Sequence, residues 1–177
     1  HMRNERLVRL VGSQDEQLVD TYHDKIRESV LGEMDESRRC GLHKKYAEKI
    51  EGETVAGSAS ADGQDCETTS DRVFDLAHHY SEASDARAFK YQLLAGQAAL
   101  EAYAMENALD HLRKAEQLQS AGLDKSTKHK LSFMLAKALS GCGLLAESIQ
   151  QYQESLARAD TCFERSACCF ALGELFW

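Results

Sequence analysis

Leu94-Ala95-Gly96, followed at set distances by Tyr103, Ala108, Leu112 and Ala115, decides the reading of this chain, because its marks return farther on. The second copy runs Leu135-Ala136, then Gly143, Ser148, Tyr152, Ser155 and Leu156. Gly96 aligns with Ala136, Ala108 with Ser148, Leu112 with Tyr152 and Ala115 with Ser155, so the copies lie 40 residues apart. A third partial copy begins at Leu172-Gly173. The spacing has a steric reading. Small residues at the first and third marks let two helices approach closely, and larger ones fill the gap between them. A period of this size is the mark of stacked helix pairs.

The matches are those of a tetratricopeptide repeat, held loosely. The tryptophan and proline marks are absent, and the period exceeds the usual 34 or so residues, the excess lying in the loop Ser120 to Ser126. Helical patterns fill the chain around the two copies, over 71–83, 86–104, 105–119, 126–141, 145–159 and 162–176. They are separated by Ser84-Asp85, Glu106, Ala121-Gly122-Leu123-Asp124 and Gly141-Cys142-Gly143. Turns this short make successive helices antiparallel neighbours.

Upstream, Glu53 to Ser70 contains almost nothing apolar and carries Gly57-Ser58-Ala59-Ser60-Ala61-Asp62-Gly63, the composition of a linker. Before it, two helices are expected over 24–34 and 36–51. The first carries Ile26, Val30 and Leu31 on one side. The second carries Leu42, Tyr46 and Ile50 on one face, with Gly52 at the C-terminal cap position. Leu7 to Val11 and Leu18 to Tyr22 alternate with a period near two around the polar turn 12–17, which predicts a β-hairpin. The expected fold class is all-α: a TPR-like antiparallel helix-pair superhelix with a short N-terminal hairpin. The expected segments are 1–52, a linker 53–70 and helical repeats 71–177.

Composition fits such a part. The 177 residues are 43% hydrophobic and 28% charged, enough to bury a core, and proline, the commonest helix breaker, is absent. The formal charge of −8 argues against broad wrapping of nucleic acid. No membrane span or secretory leader pattern occurs. Six cysteines without a C-x-x-C pair read as reduced thiols of a cytoplasmic protein. Cys142 is expected at a helix turn, and Cys162 and Cys169 on an inward-packing helix.

Three stretches carry a family resemblance. Tyr22-His23-Asp24-Lys25-Ile26-Arg27-Glu28-Ser29-Val30 resembles the element that closes the winged-helix subdomain of bacterial STAND signal-transduction ATPases. Arg38-Arg39 with Leu42-His43-Lys44-Lys45-Tyr46-Ala47-Glu48-Lys49-Ile50-Glu51 resembles the helix that follows it. Leu76-Ala77-His78-His79-Tyr80-Ser81-Glu82-Ala83 resembles the first helix of the family's helical-repeat sensor. The resemblance implies that residues 1–52 end a winged-helix subdomain. It also implies a parent often fused to a serine/threonine kinase, a cyclase or a LuxR-type regulator. No G-x-x-x-x-G-K-[ST] phosphate loop occurs, so the ATPase core would lie upstream.

No catalytic constellation is present. His78 and His79 are poor metal ligands on spacing alone, because adjacent helical side chains diverge by about 100°; His23 and His43 read as structural. No catalytic residue, cofactor or metal is expected. The basic residues Arg38, Arg39, Lys44, Lys45 and Lys49 raise a weak nucleic-acid reading. The expected function is a protein–protein interaction scaffold within a signalling ATPase or kinase, binding a protein, a peptide or another domain of its own parent. The first helix of each pair nominates Gln92, Gln97, Glu101, Lys130, Phe133 and Lys137 as a groove. An inducer-binding sensor is the alternative. Phe163, Phe170, Phe176 and Trp177 are expected to drive self-association into a homodimer.

Overall fold

The computed structural model describes residues 8–11, 18–21, 24–57, 66–118 and 123–176. The turn 12–17, Tyr22, His23, the central linker 58–65 and Trp177 lie outside the described residues. So do Ser120 to Gly122 of the repeat loop.

Two compact units divide the chain, 1–42 and 43–177. In the first, β1 (Val8–Val11) and β2 (Leu18–Thr21) pair antiparallel, with Val8 opposite Thr21 and Val11 opposite Leu18. Helix α1 (Asp24–Glu33) follows, and its Val30 and Leu31 remain exposed. Helix α2 (Glu36–Gly57) begins in this unit and continues into the second.

The second unit is a run of helices: the rest of α2, then α3 (Cys66–Glu82), α4 (Ala88–Glu101), α5 (Met105–Gln117), α6 (Lys125–Gly141), α7 (Leu145–Arg158) and α8 (Cys162–Leu175). From α3 onward each helix packs on the next, and α4 also touches α6. Arg113 of α5 meets Glu147 of α7 at 3.2 Å. Helices α4 and α6 thus stand side by side in one layer, and α5 and α7 in another.

The boundary expected near residue 52 is corrected. Gly52 does not cap α2, which runs on to Gly57, and the described part of the linker is helical at both ends. The buried face of α2 is also different. Leu42 and Tyr46 are about half exposed, while Ala47 is fully buried with Ile50 against it. Ala47 enters a cluster with Leu76, Ala77 and Tyr80 of α3 and Ala88, Tyr91 and Ala95 of α4. A methyl side chain admits the close approach that Tyr46 would block. This cluster joins α2 to the helical array.

The larger core lies between α4, α5 and α6, built on Leu100, Leu109, Leu112, Leu131, Leu135 and Leu139. Its closest contact falls on a repeat mark. A Cβ added to Gly96 would stand 2.6 Å from Leu112 Cγ. In the next copy a different pair of marks meets: Ser148, the counterpart of Ala108, donates through Oγ to Ala136 O at 2.8 Å, so the serine satisfies its hydroxyl on the helix it touches.

The helix ends repeat as well. Ser84, Tyr103 and Gly143 all have positive φ, at 49°, 57° and 77°. Each is bracketed by the same two bonds: Ser84 N to Ser81 O with Asp85 N to Tyr80 O, then Tyr103 N to Leu100 O with Ala104 N to Ala99 O, then Gly143 N to Ser140 O with Leu144 N to Leu139 O. This left-handed closure satisfies the last free carbonyls of α3, α4 and α6. Tyr103 bears it without glycine's freedom and is largely exposed. Tyr103→Gly should therefore raise stability by about 0.5–1 kcal/mol, and Gly143→Ala should lower it by about 1 kcal/mol. Nothing crowds a Cβ at Gly143, so the second effect is one of backbone strain alone. Urea unfolding of both variants checks the opposite signs.

Helices α6 and α8 start on side-chain caps. Asp124 accepts from Thr127 N at 2.9 Å. Thr161 and Glu164 form a reciprocal capping box.

Candidate functional site

The six residues nominated as a groove separate in the structure. Gln97, Glu101 and Lys130 come together: Lys130 Nζ donates to Gln97 Oε1 at 2.9 Å, and Gln97 Nε2 donates to Glu101 Oε1 at 2.9 Å. They form a short polar ladder across α4 and α6. Lys137 is exposed two turns beyond Lys130 on α6. Phe133 is half-buried, edge-on to Tyr152 at 5.5 Å and beside His129 at 6.2 Å.

Gln92 is not a groove residue. It is 1% exposed and serves as a junction of three helices. Its Nε2 donates to Ala77 O at 3.0 Å and to Ser81 Oγ at 2.8 Å on α3. Its Oε1 accepts from His111 Nδ1 of α5 at 2.7 Å. The carbonyl of Ala77 can only accept, which fixes the amide orientation and so the proton on Nδ1 of His111. Polar type alone suggested exposure, but a buried glutamine with every group satisfied is stable in a core.

A second polar centre had no counterpart in the sequence reading. Glu51 of α2 accepts from Tyr80 OH at 2.5 Å, from Tyr91 OH, and from Arg87 Nη1 at 3.1 Å. Arg87 also reaches Glu48 at 2.8 Å and Asp85 at 3.0 Å, and its guanidinium lies 4.4 Å from the Tyr80 ring centroid. Lys44 adds a contact to Asp85 at 3.2 Å. Tyr80 and Tyr91 stack at 5.2 Å beneath this cap. Burial and the bond to Glu51 push the Tyr91 hydroxyl up to about 12. The partners are separated by up to 47 positions along the chain, so no local motif announces them.

These groups set the response to acid. The hydrogen bonds from Tyr80 and Tyr91 hold Glu51 below its ordinary 4.5, and those from Arg87 hold Asp85 below its ordinary 3.8. Burial lowers His79 and His111 below their ordinary 6.5; the charges of His43 and His78 add to this at His79, and Lys114 at His111. A lowered folded value means that the unfolded chain binds more protons. Stability is then complete above the unfolded value and lost as pH falls. All four groups act in one direction. Stability should decline from about pH 6.5 through the histidines, and again below about pH 4.5 through the carboxylates. Thermal midpoints across this range check it, and a flat profile from pH 7 to pH 5 contradicts the histidine step.

Three imidazoles also meet. His43 of α2 and His79 of α3 share a hydrogen bond between their Nδ1 atoms at 2.7 Å. The ring of His78 stands 5.9 Å from His43 and 5.1 Å from His79. The two adjacent rings of α3 stay within contact of each other, and α2 brings a third ring against both, which spacing within one helix does not reveal.

Phe163 and Phe170 of α8 are exposed, as is Phe176 at its C-cap. Cys162 and Cys169, expected to pack inward, are exposed; Cys168 is the buried thiol, and its Sγ donates to Ser155 Oγ at 3.5 Å. Among the described residues Cys142, Cys162, Cys168 and Cys169 are free thiols. A depression lined by Tyr103, Met105, Glu106, Asn107, Gly141 and Cys142 is open to solvent. Among the described residues no helix is long and apolar enough to cross a membrane.

Comparison with protein-family models, with curated proteins and with solved structures finds no match to this chain.

Proposed function

We propose that this chain is a non-catalytic helical-repeat scaffold of the tetratricopeptide type, with α4 and α6 presenting a polar face to a protein or peptide, or to another domain of its parent. The observation that carries the reading is the recurrence of close packing and helix closure on the repeat marks. The helices of each pair meet on repeat marks, at Gly96 and Leu112 in one copy and at Ala136 and Ser148, a different pair of those marks, in the next, and the same left-handed turn follows at Tyr103 and Gly143. Stacked pairs of this kind expose one helix of each pair along a shared surface. The ladder Gln97–Glu101–Lys130, with Lys137 beyond it, supplies hydrogen-bonding and charged groups there. The resemblance of residues 22–30, 38–51 and 76–83 to STAND ATPases supports a cytoplasmic signalling parent, a kinase or ATPase, with the winged-helix end at its start.

The inducer-sensor alternative requires an enclosed apolar cavity, and the depression at the α4–α5 turn is open. The nucleic-acid reading is weakened by the pairing of Lys44 with Asp85.

Site-specific photo-crosslinking tests the scaffold reading. A crosslinker at Gln97 or Lys137 should capture one common partner, and a crosslinker at Lys114 on α5 should not. Lys130→Glu should abolish the capture. Equal yield from all three positions overturns the assignment of this face.

Self-association of the chain is proposed through α8. Phe163 and Phe170 lie seven residues apart, on one stripe of the helix, and are 81% and 69% exposed. Covering a large apolar side chain contributes roughly 1.5–3 kcal/mol, so this stripe favours pairing of two copies. Sedimentation should show a concentration-dependent dimer that Phe163→Ser with Phe170→Ser removes; a monomer at every concentration refutes it.

A further inference from the structure

From the convergence of His43, His78 and His79 we infer that the second unit holds a divalent transition-metal site of the zinc class, which clips α2 to α3. One ligand nitrogen from each ring lies within 4.8 Å of the other two. Tetrahedral zinc with Zn–N bonds of 2.0–2.1 Å sets its ligand nitrogens about 3.3 Å apart. The Nδ1 atoms of His43 and His79, at 2.7 Å, therefore need to separate by only about 0.6 Å. With His79 held by Tyr46, rotation of the half-buried His43 ring and the exposed His78 ring would supply the movement.

The donor set suits the ion. Imidazole nitrogens favour zinc, copper and nickel over calcium or magnesium, which seek oxygen. Three protein ligands leave a fourth position for water, and the exposure of His78 lets solvent reach it. The hydrogen bond between the two Nδ1 atoms requires one of them to be unprotonated; an entering ion replaces that bond, and the second Nδ1 releases its proton to become a ligand. Asp75 and Glu82, one turn to either side on α3, place negative charge near the rings and favour a cation there. Tyr46 stands edge-on to His79 at 4.6 Å and limits that ring's rotation. The ligands come from helices 35 and 36 positions apart along the chain, so the bound ion cross-links α2 to α3.

The test is zinc titration of the full chain in competition with a chromogenic chelator. One equivalent of zinc should bind. His43→Ala, His79→Ala and the exposed-site variant His78→Ala should each weaken binding by about tenfold or more. His111→Ala should leave it unchanged. Cobalt substitution separates this site from the cysteines. The expected spectrum has visible ligand-field bands of a four-coordinate ion and lacks an intense thiolate charge-transfer band. Zinc should also raise the thermal midpoint of the unmodified chain but not of His78→Ala. The inference is overturned by failure of zinc to bind, by affinity unchanged in His78→Ala, or by a thiolate-dominated cobalt spectrum.

Discussion

Gly96→Ala should destabilise this protein, although alanine is the better helix former. The added methyl would lie 2.6 Å from Leu112 Cγ and 2.7 Å from its Cδ2. Leu112 is completely buried and cannot swing away. Overpacking of this kind costs typically about 1–3 kcal/mol, against a propensity gain of about 1 kcal/mol. Leu112→Ala alone should cost about 2–5 kcal/mol through the cavity it leaves. Combined, the two changes should cost less than their sum by about 1 kcal/mol or more, because the new methyl occupies part of the vacated space. The double-mutant cycle, measured by denaturant unfolding, isolates that coupling. Additive effects would mean that the two helices do not meet where the repeat marks put them. Gly141→Ala is the milder comparison. Its methyl meets Met105 Cγ at 2.5 Å and Sδ at 2.8 Å, the outer atoms of a flexible side chain.

The second large effect is expected at Gln92. Gln92→Ala removes the acceptor of His111 Nδ1–H and the donor to Ala77 O, and opens a cavity among α3, α4 and α5. An unsatisfied buried group costs about 1–3 kcal/mol, and the lost packing adds to it, so about 3–4 kcal/mol is expected in total. Gln92→Leu should cost less, since it restores volume and loses only the hydrogen bonds. Gln92→Glu should be worse than Gln92→Leu, because a carboxylate oxygen would face the carbonyl of Ala77. That ranking is read by thermal unfolding at pH 7. A Gln92→Glu variant as stable as Gln92→Leu would contradict the hydrogen-bond geometry.

The helices beyond residue 86 were legible because their apolar period, the breaks at Ser84-Asp85 and Gly141-Cys142-Gly143, and Asp124 before α6 agree with one another. Their observed bounds differ from the expected ones by at most three residues. The buried side of α2 was not legible. Leu42, Tyr46 and Ile50 are the apolar residues with helical spacing, yet Ala47 is the one fully buried, and hydrophobicity scales give an alanine little weight. The Glu51–Arg87 centre and the three histidines were hidden for another reason. Their members come from separate helices, and only the packing of α2 on α3 and α4 unites them. Of the nominated groove, Gln97, Glu101 and Lys130 share a face because α4 and α6 touch side by side. Gln92 left that face because its position on α4 points between α3 and α5.

The recurring left-handed closure makes the joints of this array interchangeable. Tyr103 and Gly143 stand 40 residues apart, with the same backbone sense and the same pair of carbonyl-closing bonds. A segment running from Ala104 to Gly143 therefore enters and leaves through equivalent geometry. Copied in tandem, it meets its own duplicate at a junction that the chain already contains. Gene duplication can lengthen such a protein one helix pair at a time without inventing a new connection. The strained tyrosine at the first joint and the relaxed glycine at the second then hold the same bend by different means.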